Sequence, residues 1–381
     1  MQNLLSVMLK DSSIEQMSTC YNRGKGQAFV YGLSGTQKHA SFCACYAENP
    51  RTSIIITYDQ DELGAWKDNL TSLLPDTEVV ELPVLDMVDF NAAAKGIARN
   101  SRRMEILGSL LKGDTRIILA TAQAAAQKGI SPKQFKALSL KLRVGTVIER
   151  DDLLDQLVKM GYERVDQVDM QGEFCVRGGI VDVFPVNSHA PYRMEFFDDE
   201  VDSIRFFDVE NQTSISKTDK AEILPFDVFD DKHRKAMFTE FITKEAAVIV
   251  DDPLKVREEI IKLAKENPDI KGRLFSWEDF LGKINSYNVI YMAMMLHSLH
   301  SINLDHLIGV SVQGVASYQR QFDMFTNDME SWLGDKNQVI VTLGDMAKVS
   351  SVREILGRNR LASVEGDVDT ALRPAQSPIP I

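Results

Sequence analysis

The sequence predicts an α/β protein: a Rossmann-like or RecA-like domain with a degenerate P-loop, split into two blocks, with a small β-rich α+β domain interposed and a small α/β unit after it. Three observations carry this. Up to Leu142, short apolar runs alternate with helical patterns, as the strands and crossover helices of a parallel sheet do. From Glu173 to Asp208 a dense β pattern is punctuated by Gly, Pro and Asn. Beyond Pro225 the α/β alternation returns. The implied spans are 1–142 and 226–310 for the two blocks, 143–225 for the small domain and 311–381 for the last unit.

The strands of the first block are expected at Ala28 to Tyr31, Ser53 to Thr57, Glu78 to Leu82 and Arg116 to Ala120, with Ile97 to Leu111 as the clearest helix. A short helix, Asp151 to Met160, opens the small domain. The second block should place strands at Ala247 to Val250 and Val289 to Met292. In the last unit Tyr318, Phe322, Phe325, Met329 and Trp332 recur at helical spacing before Gly334, which marks a helix end and predicts a core-facing stripe. A strand at Val339 to Thr342, a helix from Asp345 to Leu356 and a proline-rich linker, Arg373 to Ile381, complete the expectation.

With 381 residues, 44% hydrophobic and 26% charged, the chain has the make-up of an ordinary globular protein of several compact units. Its four cysteines, Cys20, Cys43, Cys45 and Cys175, are irregularly spaced and read as small buried hydrophobes, which fits a reducing cytoplasm. No apolar run reaches the length of a membrane span. A net charge of −12 and a pI near 5.1 oppose nucleic-acid wrapping by the whole chain, because phosphate binding needs a basic face. Arg99, Arg102 and Arg103 form the best local basic candidate, readable as a DNA contact or as the solvated side of an amphipathic helix. His297 and His300 have the spacing to share a helical face, with no third metal ligand evident nearby.

The run Gly32-Leu33-Ser34-Gly35-Thr36-Gln37-Lys38-His39 follows the first strand and precedes a helix, the place of a phosphate-binding loop. A working loop needs glycine before its lysine and a hydroxyl after it. Here Gln37 brings a side chain into the turn, and His39 cannot supply the hard oxygen that magnesium prefers. Lys38 retains an anion-attracting charge. An Asp-Glu pair closing an apolar strand is not apparent, since the late strand of the block runs Ile117 to Thr121. Nucleotide hydrolysis is therefore not expected, and no catalytic residue or resident metal is assigned.

The most informative stretch is Gly172 to Pro185 with Pro191 to Glu200. Strand alternation puts Tyr192, Met194 and Phe196 on one face and Arg193, Glu195 and Phe197 on the other. An arginine beside an exposed ring is the composition of a docking hot spot, and Arg177 ahead of Gly178-Gly179 can join it. The plainer alternative pairs Arg193 with an acid such as Asp198 and tucks Phe197 under a loop.

These stretches, Arg177 to Asp208 with the degraded loop Gly32 to His39, resemble the UvrB-like N-terminal module of the bacterial transcription-repair coupling factors, the Mfd family. The resemblance covers the chain up to about residue 310 and becomes loose after it. It implies a UvrB-like fold and a non-catalytic module that binds UvrA through Arg177, Arg193 and Phe197. It also implies that contacts with RNA polymerase and DNA, together with ATP and magnesium, belong to a downstream translocase, and that a C-terminal domain can mask the docking face. UvrB itself is the near alternative. Such proteins keep an intact loop and a tyrosine-rich hairpin, whereas Leu82 to Phe90 contains no tyrosine. The functional alternative is a nucleotide-binding, UvrB-like helicase or ATPase fragment.

Overall fold

The computed structural model describes residues 2–85, 93–113, 115–226, 234–297, 302–312, 318, 321–335, 339, 341 and 350–354. The chain divides into a large unit, Leu5–Val310, and a second made of Met1–Leu4 with Ser311–Ile381.

In chain order the helices are α1 (Gln2–Met8), α2 (Ser12–Tyr21), α3 (Gly35–Glu48), α4 (Gln60–Leu73), α5 (Ala93–Leu110), α6 (Ala122–Ala126), α7 (Pro132–Leu138), α8 (Arg150–Lys159), α9 (Pro253–Glu266), α10 (Trp277–Ile284) and α11 (Phe322–Gly334). The strands of the main sheet are β1 (Gly26–Tyr31), β2 (Ser53–Thr57), β3 (Val79–Glu81), β4 (Ile117–Thr121), β13 (Ala247–Asp251), β14 (Asn288–Ala293) and β15 (His306–Gly309). Those between are β5 (Leu140–Arg143), β6 (Glu163–Arg164), β7 (Glu173–Arg177), β8 (Ile180–Val183), β9 (Tyr192–Phe197), β10 (Glu200–Phe207), β11 (Ser214–Thr218) and β12 (Lys220–Ile223).

Seven parallel strands form the main sheet in the order β15-β1-β14-β13-β2-β4-β3. Its central strands are buried on both faces, so they read as continuous apolar runs, Ile54 to Ile56 in β2 and Ala247 to Val250 in β13. Alternation still sorts their side chains. Phe29, Ile54, Ile56, Val248, Val250 and Tyr291 enter one core, while Ala28, Val30, Ile55, Ile249 and Met292 enter the other. The first core is completed by α5, α6, α9 and α10, the second by α2, α3 and α4. The two sequence blocks are thus halves of one sheet, with β13 lodged between β2 and β14.

Between the halves lies a six-stranded sheet, β11-β10-β9-β8-β7-β6, antiparallel except for the β6–β7 pair. One face packs on α8 through Leu153 and Leu157, which meet Phe174, Val181, Tyr192 and Met194. The chain enters this region along β5 and leaves along β12, and these two strands pair with each other. Entry and exit therefore lie side by side, as an insertion into a larger sheet requires. Their inward residues, Leu140, Leu142, Ala221 and Ile223, join the same core.

The expected strands and helices lie where the apolar periodicity put them, with ends displaced by a few residues. In the last unit, Met329 on α11 is buried and Phe325 partly so, with the Tyr318 ring 5.2 Å from that of Phe325. Phe322 does not belong to a core stripe as expected. It is exposed, because the helix begins at this residue and its ring lies beyond the buried turn. Most of the expected strand at Val339 to Thr342 and helix at Asp345 to Leu356 lies outside the described residues, of which 350–354 are helical; Arg373 to Ile381 lies outside them altogether. Among the described residues no helix is long and apolar enough to cross a membrane.

A candidate docking face and a closed phosphate loop

Two places gather charged side chains with a definite geometry. The first is the loop between β1 and α3. Gly32 adopts φ +94°, and a Cβ there would stand 1.9 Å from the Val310 carbonyl oxygen, so only glycine fits. The chain's own backbone crosses the loop at this point. Gly32 N–H donates to the Met294 carbonyl, and Val310 N–H donates to the Tyr31 carbonyl. Helix α3 already starts at Gly35, so Gln37 lies in its first turn and donates its N–H to Ser34. Gln37 thus stands within the helix and not in an open turn, which differs from the expectation.

Lys38 is not available to an anion either, contrary to the sequence expectation. It is buried, and its Nζ lies 2.7 and 2.8 Å from the two carboxylate oxygens of Asp251 and 2.9 Å from Glu62 Oε1. Burial opposes its charge, yet the two carboxylates hold its pKa above the usual lysine value. Trp66 Nε1 donates to Asp251 at 2.7 Å, and the His39 ring meets Glu62 through Nε2 at 3.2 Å. That contact and Lys38, outweighing burial, hold the Glu62 carboxyl well below the usual range. His39, Glu62 and Asp251 offer ligand atoms within 4.8 Å of one another, a cation site by geometry. The cation seated among the carboxylates is the Lys38 ammonium.

An acidic residue, though not an Asp-Glu pair, does close an apolar strand near this loop. The acid terminates β13, in the run Ala247 to Asp251, and not the strand Ile117 to Thr121. The signal was present as five residues ending in aspartate, but only the sheet order brings β13 within reach of the loop after β1.

The second place is the outward face of the six-stranded sheet. The alternation on β9 holds: Tyr192 and Met194 are buried, Phe196 packs partly against them, and Arg193, Glu195 and Phe197 face away. Phe197, at the end of β9, is 76% exposed and is not tucked under a loop. Arg193 is less open than expected. It is paired with Asp182, not with Asp198, because Asp182 on β8 is its direct ladder neighbour. Asp182 is fully buried and accepts from Arg193 Nε and Nη2, both at 2.8 Å, and from Arg177 Nη2 at 2.7 Å. Gln212 closes the group, its side-chain oxygen accepting from both arginines and its backbone carbonyl from Arg193. The Arg193 guanidinium lies over the Phe207 ring, 4.3 Å from its centre. Beneath it, Val168, Cys175 and Phe207 form a small separate core.

Asp182 and Gln212 were missed by sequence reading. An aspartate inside the apolar run Ile180–Val183 was the available signal, since a buried carboxylate demands a partner. Further along the same face, Arg205 and Ser203 both donate to Glu195, which lowers that carboxyl from its usual value.

The remaining candidates change character. Arg103 is buried and donates to the Pro83 and Ala124 carbonyls, so it does not belong to a solvated or DNA-facing cluster. Burial, with Arg234 nearby, pushes its pKa down to about 9. Arg102 pairs with Glu105 on the surface. His300 lies outside the described residues, as does most of the segment Leu82 to Phe90. All four cysteines are free and buried.

The inserted β-domain is where a known family is matched: residues 140–229 match the model of the UvrB interaction domain. Over nearly its whole length the chain is similar to transcription-repair coupling factors. It is 23% identical to the transcription-repair-coupling factor of Bacillus subtilis (strain 168), over 99% of this chain and 38% of the relative. It is 22% identical to that of Staphylococcus aureus (strain USA300), over 95% of this chain and 37% of the relative. The chain therefore spans less than two fifths of the length of these relatives.

Proposed function

We propose that this chain is a non-catalytic, UvrB-mimicking N-terminal module of a transcription-repair coupling factor that recruits UvrA. The single observation carrying the reading is Phe197: a phenylalanine 76% exposed, at the end of a strand whose same-face neighbours include a clamped arginine. Aromatic-plus-arginine patches dominate binding energy where they occur. The match of residues 140–229 to an interaction domain supports the same face. In this reading RNA polymerase, DNA, ATP and magnesium are engaged by other parts of the full-length protein, and a C-terminal domain can cover the face until it is needed.

The test is calorimetric titration with UvrA. Arg177→Gln and Phe197→Ala together, which leave Arg193 on Asp182, should abolish binding while the chemical unfolding midpoint shows a folded chain. A folded double variant that binds UvrA as the parent does would remove the proposal.

The second reading, a nucleotide-using enzyme, rests on the strand-to-helix setting of Lys38. It is disfavoured by the Asp251 and Glu62 carboxylates on that lysine. Titration with Mg-ATP should release no heat; micromolar binding that disappears in Lys38→Ala would restore the enzyme reading.

A further inference from the structure

The two arginines of the docking face differ in what they have left to give. A guanidinium carries five N–H donors, and it grips a carboxylate bidentately through Nη2 together with either Nε or Nη1. Arg193 spends Nε and Nη2 on the two oxygens of Asp182, the other Nη2 hydrogen on Gln212 Oε1, and one Nη1 hydrogen on the Gln212 carbonyl. Its plane is covered on one side by Phe207, and only 15% of its side chain is exposed. Arg177 gives only Nη2, to Asp182 and to Gln212, and its side chain is 47% exposed. Among the described residues its Nε and Nη1 have no partner.

Because both bidentate edges of a guanidinium run through Nη2, neither arginine retains a free fork. Bidentate capture of a partner carboxylate, which the pairing of Arg and Phe on one face first suggests, is therefore closed off by Asp182 and Gln212. What remains is one uncompensated positive charge, since two guanidiniums share a single buried carboxylate.

We propose that Asp182 is the positioning residue of this face: it makes Arg193 a framework residue of the sheet and leaves Arg177 to meet an acidic group of the partner as a point charge, through Nη1 and Nε. The proposal rests on the docking reading above and deepens it. It inverts the usual expectation for arginine-to-lysine replacement. Lysine is a poor substitute where a fork or a stacked plane is used, which is the situation of Arg193, and an adequate one where charge alone is used, which is that of Arg177.

The experiment measures UvrA affinity of the full chain by calorimetry, with unfolding midpoints taken in parallel. Arg177→Lys should stay within about threefold of the parent, whereas Arg177→Gln should lose about tenfold or more. Arg193→Lys should lose about tenfold despite keeping its charge. Asp182→Asn should weaken binding in the parent but have little further effect in the Arg177→Gln background, because its influence passes through Arg177. A purely structural Asp182 would give equal losses in both backgrounds, and that result overturns the proposal. So does Arg177→Lys falling as far as Arg177→Gln. Should Asp182→Asn or Arg193→Lys fail to fold, the Arg177 pair still decides, since that side chain is half-exposed; Gln212→Asn, which draws one acceptor back from both arginines, gives an independent weakening. Phe197→Ala separates the two levels: if it leaves binding intact the docking reading itself fails, and if it abolishes binding while the Arg177 variants behave alike, only the division of labour fails.

Discussion

The loop at Lys38 and the face at Arg177 are built on the same device, a cation held by a carboxylate sealed inside the protein, yet one is closed and the other open. Lys38 presents three N–H donors, and the two oxygens of Asp251 and one of Glu62 take all three. Backbone from residues 294 and 310 crosses the loop beside it. At the outer face one carboxylate serves two guanidiniums, so charge and donors are left over, and the nearest apolar group on the same strand row is exposed. The difference teaches that a buried ion pair by itself marks neither a binding site nor its absence. What matters is whether the pairing exhausts the valence of the charged group.

The comparison breaks most sharply at Asp251. Asp251→Ala leaves the Lys38 ammonium facing a cavity with only Glu62 beside it, and removing one partner of a buried pair costs about 3–5 kcal/mol. Urea unfolding should show this loss, and the double variant Lys38→Met, Asp251→Leu should recover most of it, because an apolar pair needs no compensation. A single Asp251→Ala variant as stable as the parent would mean that water reaches the lysine and the loop is not closed.

Next in size is Gly32→Ala. A side chain at φ +94° is strained, and its Cβ would collide with the Val310 carbonyl, so a loss of about 2–3 kcal/mol is expected in the same assay. At the open face the sign of the comparison reverses. Phe197→Ala should change stability by no more than about 0.5 kcal/mol, as exposed positions do, while costing about 2 kcal/mol or more of UvrA affinity.

The smallest effect is a slope. Glu62 has its folded pKa lowered by His39 and Lys38, so its contribution to stability is present above its usual value of 4.5 and is lost as pH falls through the folded value. The part of the unfolding free energy that Glu62 contributes, read as the difference between the parent and Glu62→Gln, should therefore decline below about pH 4.5. Glu62→Gln should leave the neutral-pH behaviour of the docking face unchanged.

Much of this architecture was legible in the chain before folding was considered. Ile54–Ile56 and Ala247–Val250 announce doubly buried parallel strands, because short continuous apolar runs between turns are what strands covered on both faces require. The alternation on Tyr192–Phe197 sorted core from surface correctly, since a strand has only two sides. Helix ends were less legible, and α5 begins four residues before the clearest periodicity does.

What local sequence determined, then, was which residues face in, which face out, and that Gln37 and His39 depart from a working phosphate loop. What the tertiary structure decided was pairing. Asp251 lies 213 residues from Lys38, and Asp182 lies 11 from Arg193 on a neighbouring strand. Such partners are chosen by sheet order and register, which bring distant carboxylates to a few ångströms from a cation. Charge, unlike burial, is neutralised by whatever the fold sets beside it, and periodicity along one segment carries no information about that neighbour.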